Sequence, residues 1–405
     1  MLTKEQHQRL AEVGPGTPMG ELLRRYWHPI AATADLDADP VRPVRLLGEN
    51  LTLFRTQRGE IGLIAERCAH RGISMAYGIP QPNGLRCAYH GWTYDTAGHV
   101  VDMPFEPACL PLKVQAYPVQ ELAGLVFAYL GPEPAPLLPR YDLFVRDDID
   151  RSVEICVLPC NWLQCMDNAA DPVHFEHLHG VFGNYQLKTL GRPPVMNPAR
   201  HLKIEFDRFE YGIIKRRLVE GEPEDCDDWQ IGHPLLFPNI LSVGDVRRPN
   251  YQIRVPMDAT HTLHVRYQGV LRKEGAAPRA NIPVQHVHIF EEDGTLIGPC
   301  DDIPRQDMIA WVGQGPLSDR TAEHLVTSDE GVVLYHKLLF EEMERVGRGE
   351  DPIAVVRDPA KNEPMIQLPR ERRGYRAFWT IDGVETRPQN WAPFRGGDVP
   401  AETTA

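Results

Sequence analysis

Two short stretches of this chain carry residues whose chemistry makes sense only in combination. Cys68-Ala69-His70 and Cys87-Ala88-Tyr89-His90 are separated by sixteen residues, and each histidine is closely followed by glycine, in Arg71-Gly72 and Gly91-Trp92. Each pair also follows a short apolar run that reads as a strand. Thiolate and imidazole are both good metal ligands. Two such loops, facing each other, would offer two sulfurs to one metal and two ring nitrogens to another. A two-iron cluster with cysteines on one iron and histidines on the other, the Rieske centre, needs that ligand set. The glycines would let backbone amides approach the bridging sulfides. A single tetrahedral zinc would use the same residue types, but zinc fingers pair Cys with Cys and His with His along the chain. Unrelated core cysteines beside surface histidines would give no reason for two matching arms.

A second concentration of ligand-type side chains runs from Asn168 to Gly180 and contains Asp171, His174, Glu176, His177 and His179. Mononuclear iron(II) held by two histidines and one carboxylate keeps coordination positions open for dioxygen and water. Spacing alone leaves the choice of histidines open. His174 and His177 are three apart and share a face of a regular helix, whereas His174 and His179 are five apart and do not. Pro172 must open a helical segment or kink one, so the local geometry is irregular in any case. Asp171 reads as the N-cap of whatever Pro172 opens. A third ligand would come from far downstream, where Asp301, Asp302, Asp307, Asp319 and Glu323 are candidates, each with a solvated surface acid as its bland reading.

These motifs resemble a known family. Cys-x-His-Arg-Gly, the sixteen-residue gap and Cys-x-Tyr-His-Gly-Trp are similar to the signature of the Rieske non-haem iron oxygenases, and the likeness runs over nearly the whole chain. Pro18-Met19-Gly20 and Trp27-His28-Pro29 resemble the phthalate-dioxygenase-type branch. The resemblance implies Cys68, His70, Cys87 and His90 as ligands of a Rieske [2Fe–2S] cluster. The family pattern Asp-x-x-His-x-x-x-x-His implies His174 and His179 as ligands of a mononuclear Fe(II), leaving His177 to the pocket or the surface. The family's ligand carboxylate is commonly followed seven residues later by Gln, as Asp307 is by Gln314; this implies Asp307, with Asp302 next. Asp171 matches an aspartate that links the iron site to the cluster of a neighbouring subunit, and Asn168 an asparagine near the iron. A head-to-tail homotrimer is implied, because one subunit's cluster must serve the next subunit's iron.

The implied activity is that of an oxygenase component, which uses O2 and NAD(P)H-derived electrons to oxidise a carboxylated aromatic. Arg45-Leu46-Leu47-Gly48-Glu49-Asn50 and the stretch from Asp171 to His177 look most like O-demethylases of methoxylated aromatics, of the type acting on lignin-derived biaryls such as 5,5′-dehydrodivanillate. Phthalate-type ring cis-dihydroxylation shares every motif and is the alternative. A non-catalytic Rieske electron-transfer protein is a more distant one. Both substrate classes carry carboxylates, so an arginine is expected in the pocket. No Gly-x-Gly-x-x-Gly follows a strand and no flavin motif is visible. Electrons are therefore expected from a separate NAD(P)H-dependent flavin or ferredoxin-type reductase.

The elements that must position these residues are legible in outline. Thr3 to Gln6 reads as a capping box, and Thr17-Pro18 opens a helix through about Tyr26. Leu51 to Arg55 and Ile61 to Ala65 flank a turn at Arg58-Gly59, and Trp92 to Tyr94 and His99 to Val101 flank another. The Pro-rich stretch from Gly131 to Pro139 marks a boundary. Beyond it, Val153 to Leu158 and His261 to Gln268 read as strands, Asn161 to Asn168 and Thr321 to Val346 as helices. The expected fold is α+β. It comprises a helical segment at 1–37 packed on the catalytic domain, a small all-β Rieske domain at 38–140, and a larger α+β catalytic domain at 141–395. In that domain an antiparallel sheet and helices surround the iron site, and a flexible tail follows at 396–405.

Composition supports this frame. With 405 residues, 43 basic and 56 acidic, the net charge is −13, which argues against nucleic acid or an anionic membrane as partner. No secretory signal or membrane span is visible, so a cytoplasmic protein is expected, with most of its eight cysteines inert core residues. Cys156, Cys160 and Cys165 match no ferredoxin spacing. Cys109, Cys226 and Cys300 are isolated, and His286 and His288 alternate on a strand that is as readily a surface as a pocket wall.

Overall fold

A computed structural model describes residues 1–291, 293–298, 302–373, 377–381 and 384–385. Cys300, Asp301 and the tail at 396–405 lie outside the described residues. The chain opens with α1 (Lys4–Ala11), where Thr3 and Gln6 form a reciprocal capping box, and α2 (Pro18–Leu23), capped by Thr17. The second helix stops at Leu23, three residues before the expected end, because the chain turns into the strand Trp27–Ala32. That strand pairs antiparallel with Leu125–Tyr129, which in turn pairs with Val119–Leu122. The N-terminal segment is thus tied to the β-rich region by a strand, while α2 also touches a long C-terminal helix.

Between these strands lie two four-stranded antiparallel sheets. One orders Val41–Leu46, Glu49–Arg55, Ile61–Ala65 and Ala116–Tyr117; the other orders Ile79–Gln81, Gly84–Arg86, Thr93–Tyr94 and Val100–Asp102. They share a core of Phe54, Ile64, Met75, Leu85, Tyr94 and Val100 that closes around Cys68 and Cys87. Those cysteines begin the loops that leave Ile61–Ala65 and Gly84–Arg86.

The larger part is built on an eight-stranded sheet. Ile149–Leu158 pairs antiparallel along its whole length with Thr262–Leu271 and parallel with the short Val284–His286. The sheet is therefore mixed at one edge and not wholly antiparallel. Three helices cover it or flank it: α3 (Trp162–Ala170), α4 (Ile303–Gly313) and α5 (Glu330–Gly347). The Asn161 side chain caps α3, whose Trp162, Leu163, Met166 and Ala169 enter the main core with Tyr251, Ile253, Tyr335 and Leu339. Behind α4, Cys156, Cys160 and Cys165 pack with Met308 and Trp311 as core residues.

The helix expected from Thr321 starts nine residues later, at Glu330. Local hydrogen bonds win the intervening stretch. Asp319 accepts from both the backbone and the hydroxyl of Thr321, Asp329 accepts from Val326 N–H at 2.7 Å, and Arg320 is buried against Asp167. Side-chain acceptors of this kind compete directly with helical bonds.

Helix α5 meets the end of α3 at Gly331. A Cβ there would lie 2.3 Å from the Phe206 ring and 2.4 Å from the Ala170 carbonyl oxygen. The carbonyl belongs to backbone and cannot swing away. Gly331→Ala should therefore lower the unfolding free energy by about 1–3 kcal/mol, read as a lower urea midpoint at an unchanged slope.

Candidate metal sites

The two Cys-His loops have the same backbone design. Cys68 N–H donates to Ile73 O and Gly72 N–H to Cys68 O; Cys87 N–H donates to Trp92 O and Gly91 N–H to Cys87 O. The glycine is the fourth residue after cysteine in both, at φ 73° and 78°, a left-handed conformation that other residues adopt at a cost. Closing this tight turn is what requires glycine. The turns set the buried Cys68 and Cys87 inside, with exposed His70 and His90 at the tip, their ring centroids 4.4 Å apart. Trp92 stacks on His70 at 4.6 Å and 7°.

The chemistry of this donor set fits a two-metal cluster. Burial raises the Cys87 thiol, and the adjacent Cys68 raises it further; two such sulfurs side by side are well matched to a cation that stabilises thiolate. Tyr94 adds a group that spacing did not reveal. Its hydroxyl lies 3.1 Å from Cys68 Sγ and accepts from Ala69 N–H at 3.0 Å. With the Ala69 proton directed at the oxygen, the phenolic proton is free to point at the sulfur.

The second constellation is governed by how α3 ends. Pro172 stops it, and the Asp171 carboxylate then accepts from the N–H groups of Val173 and His174 at 2.7 and 3.2 Å, as a cap would. The same carboxylate lies 3.3 Å from His174 Nδ1. Phe175–Phe182 follows as a wide helical segment with π-type bonding. A π segment holds more residues per turn than an α-helix, so residues five apart come onto one side. Hence His174 and His179, which a regular helix would separate, converge with ring centroids 5.3 Å apart. His177 is thrown outward, 67 % exposed beside Glu176.

The converging rings face α4. Asp307 Oδ1 lies 3.6 Å from His174 Nε2 and 3.2 Å from His179 Nε2, and the three donor atoms fall within 4.8 Å of one another. Asn168, from α3, donates to the same carboxylate oxygen at 3.3 Å. His179 Nδ1 meets Gln306 Oε1 at 2.9 Å, which fixes that tautomer with Nε2 inward. Gly183 makes room for the Gln306 amide; a Cβ there would come within 2.8 Å of it. Burial alone would raise Asp307, but His179, His174 and the buried Arg254 outweigh it and hold the carboxyl below its ordinary range. Asp171 is held low likewise, by His174, the Val173 amide and Lys215 against the effect of burial. Two imidazole nitrogens and an ionised carboxylate on one small volume suit a divalent first-row metal. Of the other acids, Asp302 caps α4 through Arg305 N–H, and Asp319 is engaged with Thr321.

His174, His179, Asp307 and Asn168 line a cavity of about 560 Å³. The pocket arginine expected from sequence proves to be several: Arg192, Arg217, Arg247, Arg248, Arg266 and Arg305 all border it. Apolar walls come from Leu187, Met196, Val287, Ile289 and Met308. His288 lines it too, whereas His286 is an outer residue paired with Asp35 at 2.8 Å.

A β region presenting two cysteines and two histidines, joined to an α+β region with a His-His-Asp cluster in a cavity, defines an iron-dependent oxygenase. Comparison with known proteins agrees. Residues 26–118 match the Rieske [2Fe-2S] domain and residues 279–368 the LigXa C-terminal domain like family. The chain is 41% identical over 382 residues to the 5,5'-dehydrodivanillate O-demethylase oxygenase subunit of Sphingobium sp. (strain NBRC 103272 / SYK-6), covering 92% of this chain and 88% of that protein. It is 34% identical to the phenoxybenzoate dioxygenase subunit alpha of Ectopseudomonas oleovorans, over 93% of each. Among solved structures, Pseudomonas putida CBB5 NdmA shares the fold, with a TM-score of 0.59 at 20% identity over 81% of this chain and 93% of that one.

The chain belongs to the Rieske non-haem iron oxygenases, as an oxygenase subunit. It is therefore an oxidoreductase that takes a Rieske [2Fe–2S] cluster and a mononuclear iron. A mere electron carrier is set aside. Among the described residues no helix is long and apolar enough to cross a membrane.

With Cys68 as a cluster ligand, Tyr94→Phe would remove a hydrogen bond to its sulfur that stabilises the electron-rich, reduced cluster most. With roughly 1 kcal/mol of difference between oxidation states, the cluster potential should fall by ~40 mV, measured by redox titration of the optical spectrum.

Proposed function

We propose that Cys68, Cys87, His70 and His90 hold the [2Fe–2S] cluster and that His174, His179 and Asp307 hold the iron. When bound, the cluster supplies electrons one at a time and the iron supplies open coordination positions for dioxygen. The protein's own residues do the rest. Gln306 and Asp171 turn the two imidazoles so that Nε2 faces inward, a second layer of contacts worth about 10–100-fold in metal affinity. Asn168 steadies the Asp307 carboxylate. In this reading Asp171 also bridges to the cluster of an adjacent subunit, and the chain divides into the segment 1–37, a Rieske domain at 38–140 and a catalytic domain from 141.

The substrate we favour is a carboxylated, methoxylated aromatic of biaryl size, oxidised by O-demethylation with O2 and NAD(P)H-derived electrons, in the cytoplasm. The observation that carries this is the cavity of about 560 Å³, with apolar walls, arginines at its border, and the His-His-Asp cluster in its lining. The 41% identity to a dehydrodivanillate O-demethylase subunit points the same way. A screen of methoxylated and phthalate-like aromatic acids with reconstituted reductase should release formaldehyde from the former. A cis-diol from the latter would assign ring dihydroxylation instead. Asp307→Ala should lower iron from about three to about two per chain and cut turnover by more than the ~10–100-fold that a supporting partner costs. Retention of both the third iron and coupled turnover would sink the ligand assignment.

A homotrimer fits the surface. Tyr89 packs on His90 and Pro104 on Gly91, which sets Tyr89 and the 97 % exposed Phe105 beside the cluster loops. Val181, Tyr185 and Leu190 are exposed just after His179. Head-to-tail rings bury one such patch against a different one. Sedimentation should give three chains per particle, and Phe105→Asp should shift the population to monomer; a monomeric wild-type protein would refute the ring.

A further inference from the structure

Pro172 leaves a specific debt of hydrogen bonds at the end of α3. In a continuing helix the N–H groups of Val173 and His174 would bond back to the carbonyls of Ala169 and Ala170. Here both are taken by the Asp171 carboxylate. The Asp171 N–H serves Asp167 and Asn168, at 3.0 and 3.2 Å. Ala169 O has thus lost its helical donor, and Asp171 O faces out of a helix that has stopped.

Lys215 fills this gap. It stands within the largely buried strand Gly212–Val219, is 5 % exposed, and also lines the cavity. Its Nζ donates to Ala169 O at 2.8 Å and to Asp171 O at 3.3 Å. Its hydrogen-bond partners are the helix-end carbonyls, where the helix dipole favours a cation. A buried lysine is expensive unless it is needed. Protonated or neutral, the nitrogen carries at least two N–H groups, which is what two carbonyls require.

We propose that Lys215 is a positioning residue for electron delivery, replacing the donors withheld at the Pro172 break and so holding the elbow from Asp171 to His174 with the Asp171 carboxylate on His174 Nδ1. The proposal rests on the reading of Asp171 as the bridge to the neighbouring cluster. Without Lys215, Ala169 O and Asp171 O would seek water or new donors. The elbow would then sample other arrangements while the core sheet stayed intact.

The test uses the full-length, iron-loaded and cluster-intact protein. Amide hydrogen exchange is followed at Val173 and His174. In parallel, single-turnover reoxidation of the reduced cluster is followed optically with O2 and 5,5′-dehydrodivanillate, or the aromatic acid that the wild-type chain oxidises in the screen above. Lys215→Met should speed exchange at both amides tenfold or more, leave the amides of Thr262–Leu271 unchanged, and slow reoxidation tenfold or more. With Fe(II) supplied at saturating concentration, KM, iron content and the cluster spectrum should stay within twofold of wild type. Lys215→Arg, which can still reach both carbonyls, should restore most of the rate. If the Met variant loses its cooperative unfolding transition, Lys215→Gln is read by the same criteria. Wild-type exchange at Val173 and His174, or faster exchange with wild-type reoxidation, overturns the proposal. Asp171→Asn separates the two ideas: wild-type reoxidation there overturns the bridge reading itself, and slow reoxidation there beside wild-type reoxidation in Lys215→Met overturns the role of Lys215 alone.

Discussion

The arrangement around the cavity depends on one local event, the interruption of α3 at Asp171-Pro172. A proline in the body of a helix removes a donor and clashes with the preceding turn. Here the interruption is put to use. It frees the Asp171 carboxylate to take the next two amides and to approach His174, and it starts the wide helical segment in which His174 and His179 share a side. Had the chain continued as a regular α-helix, the two rings would have diverged by well over a hundred degrees. Asp307 would then have faced one imidazole at most.

Everything packed against this break keeps it in place. Gly331 brings α5 to within contact of the Ala170 carbonyl, Gly183 admits the Gln306 amide against His179, and Lys215 donates to the carbonyls at the buried end of α3. Glu176 adds an anchor, accepting from the His201 N–H at 3.0 Å and so tying the wide segment to the strand His201–Phe209. Buried polar groups of this kind are costly singly and stable only as a satisfied set. Electrostatics follow the same logic. Arg254, wholly buried over the Trp311 ring at 5.3 Å, and the two imidazoles keep Asp307 ionised, the state in which a carboxylate can bind a cation.

The Cys-His loops solve a different problem, with repetition in place of interruption. Each uses the same pair of backbone bonds and the same left-handed glycine, so a single short turn, used twice, yields two sulfurs inside and two imidazoles outside. Tyr94 breaks the symmetry, because its hydroxyl reaches Cys68. Relatives named for O-demethylation and for dioxygenation match this chain over most of its length. In this chain the arginines and apolar walls of the cavity lie in the larger part.

The sequence by itself determined the residue types and intervals of both donor sets, the capping box, the first hairpins and the family, because each of these is written within a few residues of chain. It also carried the irregularity at Pro172 without saying what form it would take. Only the tertiary structure decided that His174 and His179 meet, that Asp307 and not Asp302 or Asp319 faces them, and that Tyr94 reaches Cys68, Gln306 reaches His179 and Lys215 reaches the end of α3. It also showed that the helix expected at Thr321 waits until Glu330. The physical reason is the same throughout. Periodicity reports the face a residue takes on a regular element, whereas these contacts join segments up to about 140 residues apart and hang on irregular backbone, a buried acid and a glycine-sized gap that no local pattern encodes.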